Sequence, residues 1–472
     1  MFKSQKVFLT IFIFILLFSI SFSQVKDPCT LKFQPIKFEP PSPLRFTLDN
    51  GMVVYFLEDH KLPVITMSAL VKTGRIYEPE DKVGLARITG EVMRTGGTSS
   101  LTAEEVNEAL DYIAATVESE IGLEQGKVTL DCLSKYLDEA LKIYSEILKS
   151  PRFDQEKMNL EKEKANEEIR RQNDRPDDIA SREFGKLLYP DHPYGWTPTL
   201  KTIDNITKKD LVFFHQRFFH PNNVILAVSG DIAPDLLKDK LTKFFGNWEK
   251  KDFAPPPRPQ VELSFKENIN YIFKDMNQTN IWIGHLGYKQ DNPDRFAVYV
   301  MNFILGGGGF TSRLTSQVRV EQGLAYSVYS YFNKRKDFGG FFAVCQTKGE
   351  TTFKALSLMR EVIKKLQGNG ATEQELKLAK DYIINSEVFR YSTPEKIVNQ
   401  QAQLEFDGFS SDQMKKDIEE IKKVSLSDVQ RAAKEYLHPD KMIILLVGNK
   451  DLFEKPLSEL GETKEIKLDE FK

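Results

Sequence analysis

The sequence has few of the residues that most often carry metal or redox chemistry. Its 472 residues include three cysteines and six histidines, and no C-x-x-C pair occurs. No two histidines stand four positions apart, as the zinc ligands of an H-x-x-E-H helix do. Cys132 and Cys345 lie in apolar, strand-like patterns, so we expect buried thiols rather than a disulfide framework. A zinc or redox centre assembled from cysteine and histidine is therefore not expected.

The chain also lacks an excess of charge of either sign. Its formal net charge is −3, and charged residues make up 28% of the sequence with the two signs interspersed. Such a balance gives no general attraction to nucleic acid, so no nucleic-acid partner is expected. A chain of this length predicts more than one domain.

Long apolar runs are confined to the N-terminus. Residues 7–22 are almost wholly apolar, they follow Lys3 and Lys6, and Ser21-Phe22-Ser23 offers small residues for cleavage before Gln24. This pattern predicts a secretory signal peptide at 1–23. A retained anchor is the alternative, although sixteen residues are short for a membrane span. With the signal cleaved, no integral span would remain, and the protein would cross the inner membrane and work outside the cytoplasm, in the periplasm of a Gram-negative cell.

Two segments repeat one pattern. Residues 207–230 (TKKDLVFFHQRFFHPNNVILAVSG) and 425–448 (SLSDVQRAAKEYLHPDKMIILLVG) share Asp, His, Pro and Gly at positions displaced by 218. Each copy predicts an amphipathic helix, a break at His-Pro and an apolar strand that ends at Gly. A shared unit of this kind predicts two homologous domains.

A proline-rich segment at 254–260 separates the two copies, and it can continue neither a helix nor a central strand. The predicted organisation is a signal peptide at 1–23, an N-terminal extension at 24–45, a first domain at 46–253, a linker at 254–260, a second domain at 261–455 and a tail at 456–472. Predicted strands open each domain (52–58 and 64–71; 271–273 and 280–285), and predicted helices follow (83–95, 103–117, 134–149, 154–173 and 207–219; 293–305, 353–367, 372–388 and 425–437). This order predicts α+β domains, each an antiparallel-type sheet with helices packed on one face.

Three motifs resemble those of one enzyme family. Residues 84–98 read GLARITGEVMRTGGT, residues 191–195 read DHPYG, and residues 306–328 read GGGGFTSRLTSQVRVEQGLAYSV. The first resembles the active-site helix of the insulinase/pitrilysin zinc metallopeptidases, in their bacterial processing-peptidase-like branch. That helix has the pattern G-x-A-H-x-x-E-H with a Gly-Thr end. The resemblance covers 46–450 and implies two domains that form one half of a clamshell.

The residues that carry the family's chemistry are absent from this motif. Arg87 stands at the position of the first zinc-binding His, Gly90 at the position of the catalytic Glu, and Glu91 at the position of the second His. Arginine stays protonated and cannot bind a metal, and glycine offers no base. The resemblance therefore implies a degenerate zinc motif, with neither a catalytic residue nor a metal held by this chain. Since Glu has a higher helix propensity than Gly, a Glu restored at position 90 should not disturb the helix.

The family's third zinc ligand is a Glu 77 positions beyond the second His, and Glu168 stands at that spacing from Glu91. We expect Arg87 to pair with Glu91 at i+4 and with Glu168 in one charge cluster, so that a guanidinium fills the metal position. A repurposed metal site, or an exposed pocket with neither metal nor ion pair, are the alternatives.

The segment 306–328 is the second candidate site. We expect Gly306, Gly307, Gly308 and Gly309 to form a mobile loop without helix or strand bias. Arg319 and Tyr326 resemble the Arg/Tyr pair with which the family's second domain reaches the bound peptide. In the alternative interpretation, Arg319 forms a surface ion pair with Glu321 and Tyr326 is a core residue.

Three functions are compatible with this pattern. The first is a catalytically inactive subunit that supplies Arg319, Tyr326 and the four glycines to a related subunit with an intact H-x-x-E-H motif, which would hold the zinc. Such a heterodimer would degrade or process peptides outside the cytoplasm. The second is a peptide-binding or scaffold protein without a catalytic partner. The third, an active zinc metalloendopeptidase with a rebuilt site, is opposed by Arg87 and Gly90.

Overall fold

A computed structural model describes residues 39–469, so the predicted signal peptide, Cys29 and most of the extension 24–45 lie outside the described residues. The strands are β1 Leu44–Thr47, β2 Val53–Glu58, β3 Val64–Val71, β4 Thr116–Ile121, β5 Gly126–Leu133, β6 Val224–Gly230, β7 Asn268–Phe273, β8 Gln278–Lys289, β9 Ala325–Phe332, β10 Phe338–Lys348, β11 Ile443–Gly448 and β12 Thr463–Glu465. The helices are α1 Leu85–Thr95, α2 Ala103–Tyr112, α3 Leu137–Lys149, α4 Gln155–Arg171, α5 Pro176–Leu188, α6 Leu200–Asp204, α7 Lys208–Phe218, α8 Pro234–Phe245, α9 Arg295–Asn302, α10 Thr352–Asn369, α11 Glu373–Ser386, α12 Pro394–Phe406, α13 Gln413–Lys423 and α14 Leu426–Tyr436.

The strands form two six-stranded sheets that share one topology. The first has the order β1-β2-β6-β3-β5-β4 and the second has the order β12-β7-β11-β8-β10-β9. Five consecutive strands correspond in the two sheets, and the repeated helix–break–strand units are α7 with β6 and α14 with β11. The predicted pair of homologous α+β domains is therefore confirmed. Edge strands β4 and β9 hold equivalent places.

The sheets are of the predicted antiparallel type in most of their strand pairs, and each sheet also contains at least one parallel pair. Strand β6 pairs parallel to β2 and antiparallel to β3, and β11 does the same between β7 and β8. Two parallel neighbours need a long crossover connection between them. The segment between β2 and β6 is such a connection, and it brings β6 alongside β2 in the same direction. This long-range pairing leaves no signal in the strand sequences.

A second difference concerns the predicted helix at 103–117. Helix α2 ends at Tyr112, Ala114 has a φ of 50°, and β4 begins at Thr116. In β4, every second residue is buried, as in a strand with one face against the core. The turn at Ala114 therefore divides the segment into a helix and an edge strand.

One face of each sheet is covered by a helix that comes from the other half of the chain. Helix α5 packs on β8 and β11, and helix α12 packs on β2 and β6. The buried residues of α5 that meet the second sheet are Ile179, Ala180, Phe184 and Leu188, and those of α12 that meet the first are Val398, Ala402 and Phe406. Neither helix, at 176–188 or at 394–406, was predicted from the sequence. The two halves therefore share apolar cores rather than a polar boundary.

A polar network reinforces the contact of α12. Glu405 accepts hydrogen bonds from Arg45 Nε at 2.7 Å, Arg45 Nη2 at 2.8 Å and the Tyr55 hydroxyl at 2.5 Å. The pKa of the Glu405 carboxyl is lowered, chiefly by the hydrogen bond from Arg45. Strands β1 and β2 are thereby tied to the second half of the chain.

Cys132 and Cys345 are buried free thiols, as predicted, and burial raises the pKa of each to about 12. In the region from residue 39 to 469, each helix is either too short or too polar to cross a bilayer.

Substitution of Phe184 tests the shared core. Phe184 is fully buried, and its ring centroid lies 5.7 Å from that of Trp282 in the second sheet. We expect Phe184→Ala to lower the free energy of unfolding by about 3–5 kcal/mol, because it leaves a cavity between the halves. Denaturation followed by tryptophan fluorescence measures this. Phe213→Ala, at a 65% exposed position, is the control and should change stability by less than about 0.5 kcal/mol. Equal effects would contradict the shared core.

Candidate functional site

Helix α1 carries most of the motif at 84–98, and a buried carboxyl group caps its N-terminus. Gly84 precedes the helix with a φ of 108° and provides no side-chain cap. Instead, Glu78 Oε1 accepts a hydrogen bond from the Ala86 N–H at 2.6 Å. Burial raises the pKa of the Glu78 carboxyl to about 7, although Arg75 and the backbone N–H groups oppose the shift. The motif did not predict this residue.

Arg87 pairs with Glu168, one of the two partners expected from the sequence. The guanidinium donates two hydrogen bonds to the carboxylate, and the one from Nη2 to Oε1 measures 2.7 Å. The side chains are 43% and 58% exposed. An exposed pair of this kind stabilises a fold by about 0–1 kcal/mol. The hydrogen bond from Arg87 lowers the pKa of Glu168, and the same bond raises the pKa of Arg87.

Glu91 lies near Arg87 but forms no ion pair with it, so the predicted cluster of three is reduced to the pair of Arg87 and Glu168. Its pKa is raised, first by burial and then by the neighbouring Glu161. Glu161 is itself buried and pairs with Lys164 at 2.9 Å. Glu91 therefore lies among other carboxyl groups, and Arg87 and Lys164 oppose the rise in its pKa.

Gly90 faces the backbone of the edge strand. A Cβ atom added at Gly90 would lie 2.8 Å from the Ile121 nitrogen and 3.1 Å from the Glu120 carbonyl carbon. Contacts this short with backbone atoms require the helix or the strand to move. Helix propensity favours Glu over Gly at position 90, but the short distance from Gly90 to β4 opposes any larger side chain there.

The residues at the motif positions do not fit a zinc ion. Arg87 cannot be a ligand, and Gly90 has no side chain. Within the described part of the chain, no three His, Cys, Asp or Glu side chains converge as a metal site requires. A cavity of about 180 Å³ beside the pair is lined by apolar residues, Gln172, Arg87 and Glu168. Its two charged residues neutralise each other.

Buried histidines elsewhere in the chain serve packing. His215 Nε2 lies 3.0 Å from the Leu148 carbonyl oxygen, and His285 Nδ1 lies 2.7 Å from that of Leu286. Burial lowers the pKa of His215 to about 4 and that of His285 to about 3. Both rings are therefore neutral at physiological pH.

The glycine-rich segment is helical and closely packed, so the expected loop without helix bias is wrong. Phe303–Gly307 and Thr315–Glu321 are π-helical segments that contact β9. A Cβ atom at Gly306 would lie 2.4 Å from the Ser330 nitrogen, and one at Gly308 would lie 2.8 Å from the Phe303 ring. Gly307 is similarly close to Asn302, whereas Gly309 has a φ of 57° and open space around it. The first three glycines allow close packing, and the fourth allows a turn.

Arg319 and Tyr326 lie together on the surface. The Arg319 guanidinium lies 4.9 Å from the centroid of the Phe310 ring and 5.8 Å from that of Tyr326. Both rings are exposed, at 68% and 75%. The alternative interpretation fails on both points, because Tyr326 is not a core residue and Arg319 has no ion pair among residues 39–469. Phe310 was not predicted, although it directly follows Gly309.

The comparisons with known proteins agree with this geometry. Residues 53–197 match the family described as insulinase (peptidase family M16), and residues 205–383 match the peptidase M16 inactive domain. The non-peptidase homolog YmxG of Helicobacter pylori is 28% identical over 407 residues, which cover 84% of this chain and 92% of that protein. An uncharacterized zinc protease, YmxG of Bacillus subtilis, is 27% identical over 348 residues, which cover 72% of this chain and 83% of that protein.

Among solved structures, a peptidase M16 inactive domain from Pseudomonas fluorescens matches with a TM-score of 0.80 and 26% identity. The match covers 88% of this chain and all of that one. The chain belongs to the insulinase family, as its motifs predicted.

Gly90→Ala tests the close approach of α1 to β4. Helix propensity alone would favour Ala by about 1 kcal/mol, but overpacking against the strand should destabilise the protein by about 1–3 kcal/mol. Gly185→Ala in α5 is the matched control, because its added Cβ would meet nothing within 4 Å. We expect the control to be neutral or stabilising in thermal unfolding. Stabilisation by both substitutions would contradict the contact.

Glu78 makes a pH-dependent contribution to stability. Its folded pKa is raised above the unfolded value, so its contribution is complete below pH 4.5 and is lost as the pH rises through about 7. The stability of the wild type relative to Glu78→Gln should therefore fall by about 2–3 kcal/mol between pH 5 and pH 8. Urea unfolding at several pH values measures this difference, with the exposed Glu80→Gln as control. A constant difference would contradict a buried, protonated Glu78.

Proposed function

We propose that this chain is a non-catalytic subunit that supplies Arg319 and Tyr326 to a related, zinc-bearing subunit with an intact H-x-x-E-H motif. The resulting heterodimeric peptidase would act on peptides outside the cytoplasm. The observation that carries the proposal is the contact at Gly90, where the backbone of β4 occupies the space that a catalytic side chain would need. The Arg87–Glu168 pair supports it, because a guanidinium takes the place of a metal ligand.

The second half of the chain offers groups suited to binding a peptide. Tyr326 is 75% exposed, so its hydroxyl is free to donate a hydrogen bond to a peptide carbonyl or to a developing oxyanion. Arg319 presents N–H donors that can hold a peptide carbonyl or carboxylate. The partner would contribute the zinc, which activates the attacking water when bound.

Export from the cytoplasm is part of the proposal and rests on residues 1–23. N-terminal sequencing of the protein purified from its native host should find Gln24 as the first residue. A chain that retains Met1 would favour the membrane-anchored alternative.

Substitutions in the Arg/Tyr pair test the proposed role. In the complex co-purified with a zinc-bearing partner, Tyr326→Phe and Arg319→Ala should each lower peptide turnover by about 10–1,000-fold, the range for losing an oxyanion-type donor or a positioning group. Because both side chains lie at the surface, the melting temperature and assembly should hardly change.

Matched controls are the exposed Tyr112→Phe and Arg171→Gln, which should leave turnover unchanged. The scaffold alternative predicts that no peptidase activity accompanies the purified complex. Full activity in both Tyr326→Phe and Arg319→Ala would rule out the clamping role and favour the scaffold.

A further inference from the structure

We infer that the cleft beside Arg319 selects peptide segments that bear a carboxylate next to an aromatic or apolar side chain. The inference rests on the proposed peptide-clamping role and names the substrate class for it. The cleft has a volume of about 410 Å³ and lies between β9 and the glycine-rich segment. Arg319 is the one charged residue in its lining, and the others are glycine, aromatic, aliphatic or small polar residues.

Arg319 has no carboxylate partner among residues 39–469, whereas three other arginines are neutralised by two hydrogen bonds to a carboxylate. Arg45, Arg313 and Arg431 each form a two-bond pair with a carboxylate, on Glu405, Glu375 and Asp294 respectively. Arg319 is held by two aromatic rings instead. Ring contacts leave the N–H groups at the edge of the guanidinium without an acceptor, and that planar fork matches the geometry of a carboxylate.

The rest of the cleft suits an extended chain with an apolar side chain. Tyr329 is 41% exposed and stacks on Tyr331 with centroids 6.1 Å apart, while Tyr331 stacks on Phe342 at 4.9 Å. Tyr331 and Phe342 therefore hold the Tyr329 ring in place, and its exposed part offers an aromatic surface for a ligand side chain. The close-packed glycines keep this wall free of side chains. A lysine of the ligand would find no opposite charge in the lining.

Calorimetric titration of the full chain alone with end-blocked hexapeptides tests the inference. The peptides are Ac-Ala-Ala-Phe-Asp-Ala-Ala-NH₂ and its Asn and Lys counterparts, and a fourth peptide carries only a free C-terminal carboxylate. We expect the Asp peptide to bind about 10-fold more tightly than the Asn peptide, as charge-assisted hydrogen bonds imply, and the Lys peptide to bind most weakly. The fourth peptide shows whether a terminal carboxylate serves as well as a side chain.

The preference should disappear in Arg319→Gln, weaken at high salt and persist in the control Arg171→Gln. Arg319→Lys should restore it only in part, because lysine lacks the planar fork. Equal affinities for the Asp and Asn peptides, a preference that survives Arg319→Gln, or no binding of any peptide would each overturn the inference.

The outcome is separable from that of the proposed function. Loss of turnover in the Arg319→Ala complex without any Asp preference would leave the clamping role in place and remove the substrate class. An Asp preference in a chain that never joins a zinc-bearing partner would support the binding preference and remove the clamping role.

Discussion

The contact between α1 and β4 at Gly90 determines what the first half of this chain can do. Because a Cβ at this position would lie 2.8 Å from the Ile121 nitrogen, the helix can lie this close to the strand only with glycine there. The same helix places Arg87 opposite Glu168, and the two charges satisfy each other. The helix is thus closely packed on β4 and carries an ion pair with α4.

The second half carries a surface of a different character. Its equivalent edge strand, β9, lies beside Arg319, whose guanidinium is held between two exposed rings and not by a carboxylate. Helices α5 and α12 cross between the halves and bury apolar residues on both sheets. They hold the halves in one body, so any peptide bound at β9 is presented in a fixed orientation relative to the first half.

Much of this arrangement followed from the sequence, and the reasons for the exceptions are physical. The repeat displaced by 218 residues predicted two equivalent domains, and the spacing from Glu91 to Glu168 identified the partner of Arg87. The parallel pairing of β2 with β6 could not be predicted, because it depends on long-range topology. The close approach of Gly90 to β4 could not be predicted either, because it depends on how two elements distant in sequence pack together. Helices α5 and α12 were not predicted, because their apolar residues pack on the sheet of the other half of the chain.

The most direct test is the zinc content and peptidase activity of the chain purified alone and together with any related subunit that co-purifies with it. We expect no stoichiometric zinc and no cleavage for the isolated chain, and one zinc per active complex. One zinc per isolated chain, lost in Glu168→Ala, would contradict it.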